Sequence, residues 1–402
     1  MSIEQAKRME NAPLSGIRMI LSQVEELNKQ GKKVLNLSIG QPDFCTPEYI
    51  KDAAKKALDE NKTKYPPVAG VEELKAAIST KYFAPKGLNY SPQEVLVTSG
   101  VAQVMYLAMT AYLNPGDEII LPNPGYNSYS TIPNVVGATM KFYDLKEENE
   151  FQIDPEQMKE LITDKTKMMV IISPNNPIGS ILRRKSLEAI ANLLSGKDII
   201  VLSDEIYEQL NYDGVRPMSI ASFPGMREKT ITMNGFSKYY AMTGWRMGFC
   251  GAPFELLEPM IRLNFLVSSG ANSIAQYACI EALVNEKDDS CEKMRMEFKR
   301  RRDYLYEALN KIEKVSCLKP EGGFYIFLNI KNTGMTSEEF SNYLLKNYLV
   351  ATVPGTVFGT NGEGFLRLSY AAKYEDLQEA VKLIELAIKD LKRVNFKEIS
   401  YE

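Results

Sequence analysis

The stretch Asn234-Gly-Phe-Ser-Lys-Tyr-Tyr-Ala-Met-Thr-Gly-Trp-Arg-Met-Gly248 decides how this chain is read. The Lys-Thr-Ile-Thr-Met run before it reads as a short strand, and the Arg-Met-Gly-Phe-Cys-Gly run that closes it reads as another. Between the two, Lys238 and Arg246 stand in an apolar, glycine-bearing turn. Buried unpaired charge is costly, so two cations there call for an anion or a covalent task. Lysine suits the covalent task, because its amine loses its charge readily when desolvated or set beside another cation. Arginine suits a phosphate, which its planar fork grips bidentately. The plain alternative is two surface charges on a loop, and the rest of the chain has to decide.

The chain has 402 residues, enough for more than one domain. Hydrophobic residues at 45% and charged residues at 25% are ordinary for a globular protein. A net charge of −3 points away from nucleic acid. No apolar run is long enough to span a membrane, and no signal-peptide pattern opens the chain. The five cysteines are scattered, which argues against a disulfide framework and fits a reducing cytoplasm. Histidine is absent altogether. That removes Ser-His-Asp and Cys-His catalysis and every histidine-based zinc site, and the cysteines lack the clustering a metal needs, so no metal is expected. Proton transfer falls to Lys, Asp, Glu, Tyr or Cys, and an enzyme so built borrows its chemistry from an organic cofactor.

Outward from the turn, short apolar runs alternate with helical stretches. Ser15 to Gly31 predicts an amphipathic helix with Ser15 as N-cap, and Val34 to Ile39 predicts a strand. Val95-Leu-Val-Thr98 runs into Ser99-Gly100-Val101-Ala102, where a glycine at a strand-to-helix turn lets backbone amides face an anion or merely makes the turn. Glu118 to Leu121 leads to Tyr126, which can stack on a flat ring or simply pack. Lys167 to Ile172 leads to Asn176–Pro177, a candidate cis bond. Asp198 to Ser203 ends in Asp204-Glu-Ile-Tyr207. Asp204 there needs a cation or strong donors if buried, or else it is a helix N-cap. These features predict a mostly parallel sheet with helices on both faces, and the candidate residues follow strand ends, where open α/β sheets bind ligands.

Past residue 252 the chain turns helical, and its last third predicts a smaller α+β unit that takes in the N-terminal helix. Asp288 to Ile312 reads as one long helix whose Lys-Arg-Arg-Arg run (299–302) is expected to be a solvated face. Gly364 to Tyr370 reads as a strand carrying Arg367, which either meets a carboxylate or sits on an edge facing water. The expected division is a small unit of residues 1–45 and 293–402 around a large unit of 46–292.

An ordered set of motifs then stands out: Ser38-Ile-Gly-Gln-Pro-Asp-Phe44, Lys64-Tyr65 with Ala69-Gly70, Pro124-Gly-Tyr126, Asn176-Pro177, Ser203-Asp-Glu-Ile-Tyr207, Ser237-Lys238 with Gly244-Trp-Arg246, and Arg367-Leu-Ser-Tyr370. With these the chain resembles, nearly end to end, the pyridoxal-phosphate-dependent class I aminotransferases of fold type I, above all their bacterial and archaeal aspartate/alanine-type branch. The resemblance implies a seven-stranded-type, mostly parallel sheet in a large cofactor-binding domain plus a smaller α+β domain. It implies transfer of an amino group between an L-amino acid and a 2-oxo acid, 2-oxoglutarate being the expected one, through a Schiff base on Lys238. In that scheme Asp204 pairs with the pyridinium nitrogen, Asn176 and Tyr207 bond the phenolic oxygen, and Tyr126 stacks on the ring. Gly100, Val101, Ala102, Ser237 and Arg246 hold the phosphate, and Tyr65 reaches the phosphate of a neighbouring subunit in a homodimer. Arg367 clamps the substrate carboxylate, with Gly40 and Asn176 nearby. A β-eliminating C–S lyase or an oxidase-like relative of the same fold is the alternative.

The chain departs from the branch in three places. Ile178 stands where a Thr is usual, and it is expected to leave the cofactor site unchanged. Val101 and Ala102 replace residues that often carry a hydroxyl or an amine. No cation is evident for the distal carboxylate of an acidic substrate.

Overall fold

The computed structural model describes residues 4–10 and 16–399, with side chains to 391. The expected cap Ser15 lies outside the described residues. In chain order the strands are β1 (Leu35–Asn36), β2 (Val95–Thr98), β3 (Glu118–Asn123), β4 (Thr139–Asp144), β5 (Thr166–Ile172), β6 (Ile200–Asp204), β7 (Thr230–Gly235), β8 (Gly248–Gly251), β9 (Tyr325–Asn329), β10 (Val350–Ala351), β11 (Val353–Pro354) and β12 (Phe365–Ser369).

Seven of them form one sheet in the order β2-β8-β7-β6-β5-β3-β4. Only β8 runs against its neighbours; the other pairings are parallel. The reason lies in the sidedness of the strands. Ile119 and Leu121 of β3, with Met168, Val170 and Ile172 of β5, pack into one core beneath the helices Val101–Tyr112 and Phe254–Ser268. The alternate residues Ile120, Met169 and Ile171 enter a second core with Leu187 and Ile190 of the helix Arg184–Leu194. A strand covered on both faces must be apolar at every position, hence the unbroken runs.

A second, antiparallel sheet has the order β11-β12-β9, which makes β12 its middle strand. Arg367 lies opposite Phe327 and Val353, so it is not an edge residue, and it is buried at 1% exposure. The strand expected over Val34 to Ile39 shortens to β1, paired with β10. The Leu37 amide still reaches the Ala351 carbonyl, and beyond it the Asn36 side chain accepts bonds from the Ser38 amide and hydroxyl. The helix Gly16–Lys29 packs Ile20 and Val24 against Leu345, Ala351, Val353 and Phe358.

The 299–302 run is not a solvated face. In the helix Ser290–Leu309, Arg301 and Arg302 are buried. Arg302 bonds Asp213, Asp303 and the Pro320 carbonyl and lies over the Tyr212 ring. Arg301 bonds Asp43 and Glu297 and lies over Phe44. Lys299 and Arg300 alone meet solvent, because the helix wedges its other side against the loops near 43 and 213.

Candidate active site

The C-terminal ends of β2, β3, β5, β6 and β7 open on one edge of the large sheet, and β12 faces them. Together with the loop after β1 they enclose a cavity of about 370 Å³. Gly40, Val101, Ala102, Tyr126, Asn176, Asp204, Tyr207, Ser237, Lys238, Arg246 and Arg367 all line it. Gly100 sits directly behind, in contact range of Arg246. Tyr65 does not join them: it is 91% exposed and lines a separate depression with residues 268–274. Ile178 packs into the core under β5 and does not line the cavity.

Lys238 follows β7 and donates a 2.6 Å hydrogen bond to the Gly40 carbonyl. Burial, then the positive charge of Arg367, pull its amine down to about 8, and the Asp204 carboxylate offsets only part of this. The amine therefore gives up its proton far more readily than an ordinary lysine, as suits a nucleophile or proton carrier.

Asp204 is the last residue of β6, and no helix begins there, so it is not a helix cap. Its Oδ1 accepts from the Ile206 amide at 3.0 Å and its Oδ2 from the Tyr129 hydroxyl at 2.7 Å. Burial raises its carboxyl, while Tyr129, the Ile206 amide and Lys238 act the other way. Tyr129 escaped the sequence reading. It sits inside the helix Ser128–Val136, where a tyrosine gives no sign of a partner on a distant strand.

At the other end of the cavity, Gly100 caps the helix Val101–Tyr112 with φ +80°, a conformation that favours glycine. A Cβ there would collide with the Arg246 guanidinium. Arg246, itself left-handed at φ 55°, donates to the Thr243 carbonyl at 3.0 Å and to the Ser99 carbonyl at 3.5 Å. A helix N-terminus and an arginine converging on one spot suit a phosphate.

Arg367 donates to Asn176 Oδ1 at 3.1 Å and to the Ser38 carbonyl at 2.7 Å, and its Nε has no partner. The Asn176–Pro177 bond is cis. The Arg367 guanidinium is sandwiched between the rings of Tyr325 at 4.4 Å and Phe358 at 4.9 Å. Tyr325, also a cavity residue, was missed too, because an aromatic in a buried strand reads as core.

Among the described residues none of Lys238, Arg246 and Arg367 forms a salt bridge, and the cavity holds one carboxylate, Asp204. Three cations against one anion leave the cavity fit for two further anionic groups. A ring carrying a phosphate and an aldehyde, joined to a substrate carboxylate, matches that charge and the placing of the cations.

The family described as aminotransferase class I and II matches residues 32–384. The chain is 41% identical to the aromatic-amino-acid aminotransferase 2 of Thermococcus litoralis, over 90% of this chain and 93% of that one. It is 42% identical to the aspartate aminotransferase of Pyrococcus abyssi over the same shares. Among solved structures, the aspartate aminotransferase of Thermus thermophilus with maleate superposes with a TM-score of 0.92 at 35% identity, covering 96% of this chain and all 100% of that one. These findings do not favour the lyase or oxidase-like alternative. With the match running through every strand of the large sheet and on through β12, this chain belongs to the class I and II aminotransferases, pyridoxal-phosphate enzymes that move an amino group between an amino acid and a 2-oxo acid.

Proposed function

We propose that Lys238 holds the cofactor covalently and carries the proton between the substrate Cα and the cofactor carbon. Pyridoxal phosphate, when bound, supplies the electron sink that the side chains lack. Asp204 keeps the ring nitrogen protonated, Asn176 and Tyr207 hydrogen-bond the phenolic oxygen, and Tyr126 covers the ring. The amides of Gly100, Val101 and Ala102, with Ser237 and Arg246, hold the phosphate. Arg367 grips the substrate carboxylate beside Gly40 and Asn176. The observation that carries this reading is the meeting of Lys238, Asp204 and Arg367 in one enclosed cavity, with the lysine amine brought to about 8.

The wall beside the substrate seat is apolar, with Ile17, Leu21 and Ile39, and Gln41 next to them. The cations lining the cavity are already assigned, which favours neutral amino donors over aspartate; 2-oxoglutarate is kept as the acceptor expected of the family, and its distal carboxylate would need a partner from outside this lining. We further place the active enzyme in the cytoplasm as a homodimer in which Tyr65 of a second copy completes the phosphate site. The exposure of Tyr65 supports that assignment. No helix among the described residues is long and apolar enough to cross a membrane. Residues 46–292 would form the large unit, since the seven-stranded sheet lies wholly inside them, and 1–45 with 293–402 the small one.

The test is to mix the holoenzyme with single amino donors. Conversion of the cofactor to its amino form, reversed by a 2-oxo acid, is expected. Release of pyruvate and ammonia without that form would refute the reading.

A further inference from the structure

The hydroxyls of Tyr207 and Tyr325 lie 2.9 Å apart, and either could be the donor on geometry alone. Both rings are buried, and both line the cavity. Among the described residues neither hydroxyl bonds another protein atom. Two hydroxyls hold two protons, and one is used between them. The other must point into the cavity. A Cβ at position 40 would lie 2.8 Å from the Tyr325 oxygen, so the glycine there is what leaves that hydroxyl its place beside the cavity. The Tyr325 ring also stacks on the Arg367 guanidinium, whose carboxylate seat lies in the same cavity.

The direction of the shared proton follows from relative acidity. Burial raises both phenols, but the charge of Arg367 is the largest influence drawing Tyr325 back down. For Tyr207 the next influence after burial is Tyr325 itself, which raises it further. The more acidic hydroxyl is the donor, so Tyr325 donates and Tyr207 accepts.

We propose that Tyr325 is a positioning residue for the transamination: its hydroxyl donates to Tyr207 and aims the Tyr207 proton into the cavity, while its ring holds the plane of Arg367. This rests on the reading that Tyr207 bonds the phenolic oxygen of the cofactor. A hydroxyl that accepts a hydrogen bond is a stronger donor in turn, by roughly 10–30% of the bond. Tyr325 thereby favours the anionic phenolic oxygen and links its acidity to the carboxylate clamp. Nothing in the motifs around residue 325 assigns it this role.

The experiment titrates the near-visible absorption band of the holoenzyme against pH in Tyr325→Phe, Tyr207→Phe and the double variant. Tyr207→Phe is expected to move the midpoint upward. Tyr325→Phe is expected to move it in the same direction by a few tenths of a pH unit, in line with the size of that polarisation, and to add nothing in the Tyr207→Phe background. KM for the amino donor should change less in Tyr325→Phe, which keeps the ring, than in Tyr325→Leu. In Tyr325→Leu it should rise roughly several-fold as the stack on Arg367 is lost. If Tyr207→Phe moves the midpoint and Tyr325→Phe does not, the proposal is overturned and the Tyr207 assignment stands. If Tyr207→Phe itself leaves the midpoint in place, the Tyr207 assignment fails and takes this proposal with it. Should Tyr325→Leu not fold, the two Phe variants alone still decide.

Discussion

Tyr129 donates its hydroxyl to Oδ2 of Asp204 at 2.7 Å, joining a helix residue to the end of a strand 75 positions later. Both side chains are buried, so the bond is not exchanged for one to water. It stabilises the charged carboxylate that the pyridinium nitrogen would need. Removing one hydrogen bond to a buried charged group costs about 1.5–3 kcal/mol. Tyr129→Phe is therefore expected to weaken cofactor retention by roughly tenfold or more. Because Tyr129 lowers the Asp204 carboxyl, its loss should also move the acid limb of the pH–rate profile upward. Equilibrium dialysis of the cofactor and a pH series check both; an unchanged retention would remove Tyr129 from the site.

Lys238→Ala should leave a protein that develops no near-visible absorbance when the cofactor aldehyde is added, since its amine is the proposed point of attachment. A persisting band would assign the attachment elsewhere.

The rate at which the cofactor-free protein captures the aldehyde should rise with pH and level off above about 8, since only the neutral amine attacks. The sign follows from the cause: burial first, then Arg367, favour the uncharged amine. Arg367→Leu should accordingly shift the midpoint of that rise to higher pH. Stopped-flow absorbance at several pH values measures it, and a midpoint that falls or stays would contradict the coupling.

Arg367→Ala should raise the KM for amino donors while the cofactor stays bound. Truncating one partner of a buried charge pair costs about 2–5 kcal/mol, which is roughly thirtyfold or more in binding. Loss of cofactor instead would mean that Arg367 serves the phosphate end.

Arg302 tests the correction to the helix Ser290–Leu309. Arg302→Ala removes the buried member of a cluster in which Lys299 and Lys319 still reach Asp213 and Asp303, and losing its charge-assisted hydrogen bonds is expected to cost about 1.5–3 kcal/mol of stability. Arg300→Ala, two residues away on the opposite, solvent-facing side of the helix, should cost well under 1 kcal/mol, about the value of an exposed pair. Burial pushes the Asp303 carboxyl up, yet Lys299, Arg302 and Lys319 outweigh it and hold it at about 2. The contribution of Asp303 is thus complete above its unfolded value near 3.8 and is lost as pH falls toward about 2. Thermal melts of the two variants across acid pH check the order.

Much of this molecule was legible in the residues. The middles of β2, β3, β5 and β6 are unbroken apolar runs because both their faces are buried, and a run of that kind identifies its strand without any partner in view. Chemically distinctive residues after those runs, Asp204 and Lys238 among them, mark the edge where the cavity lies. Strand lengths were less legible: β1 is shorter than the Val34–Ile39 run, and the bonds from Ser38 to the Asn36 side chain beside it are local contacts that hydropathy does not register.

The sequence by itself determined the parallel sheet, the family and the set of residues at the strand ends, because periodicity and motif spacing are properties of each element taken alone. The tertiary structure alone decided which charges are buried and which tyrosines meet them. Arg302 is enclosed while Arg300, with the same side chain on the same helix, is not. Tyr325 finds Tyr207 across 118 residues and Arg367 finds Asn176 across 191. Those meetings depend on sheet order and on how the second sheet closes over the first, and a buried hydrogen bond is formed only where both partners arrive.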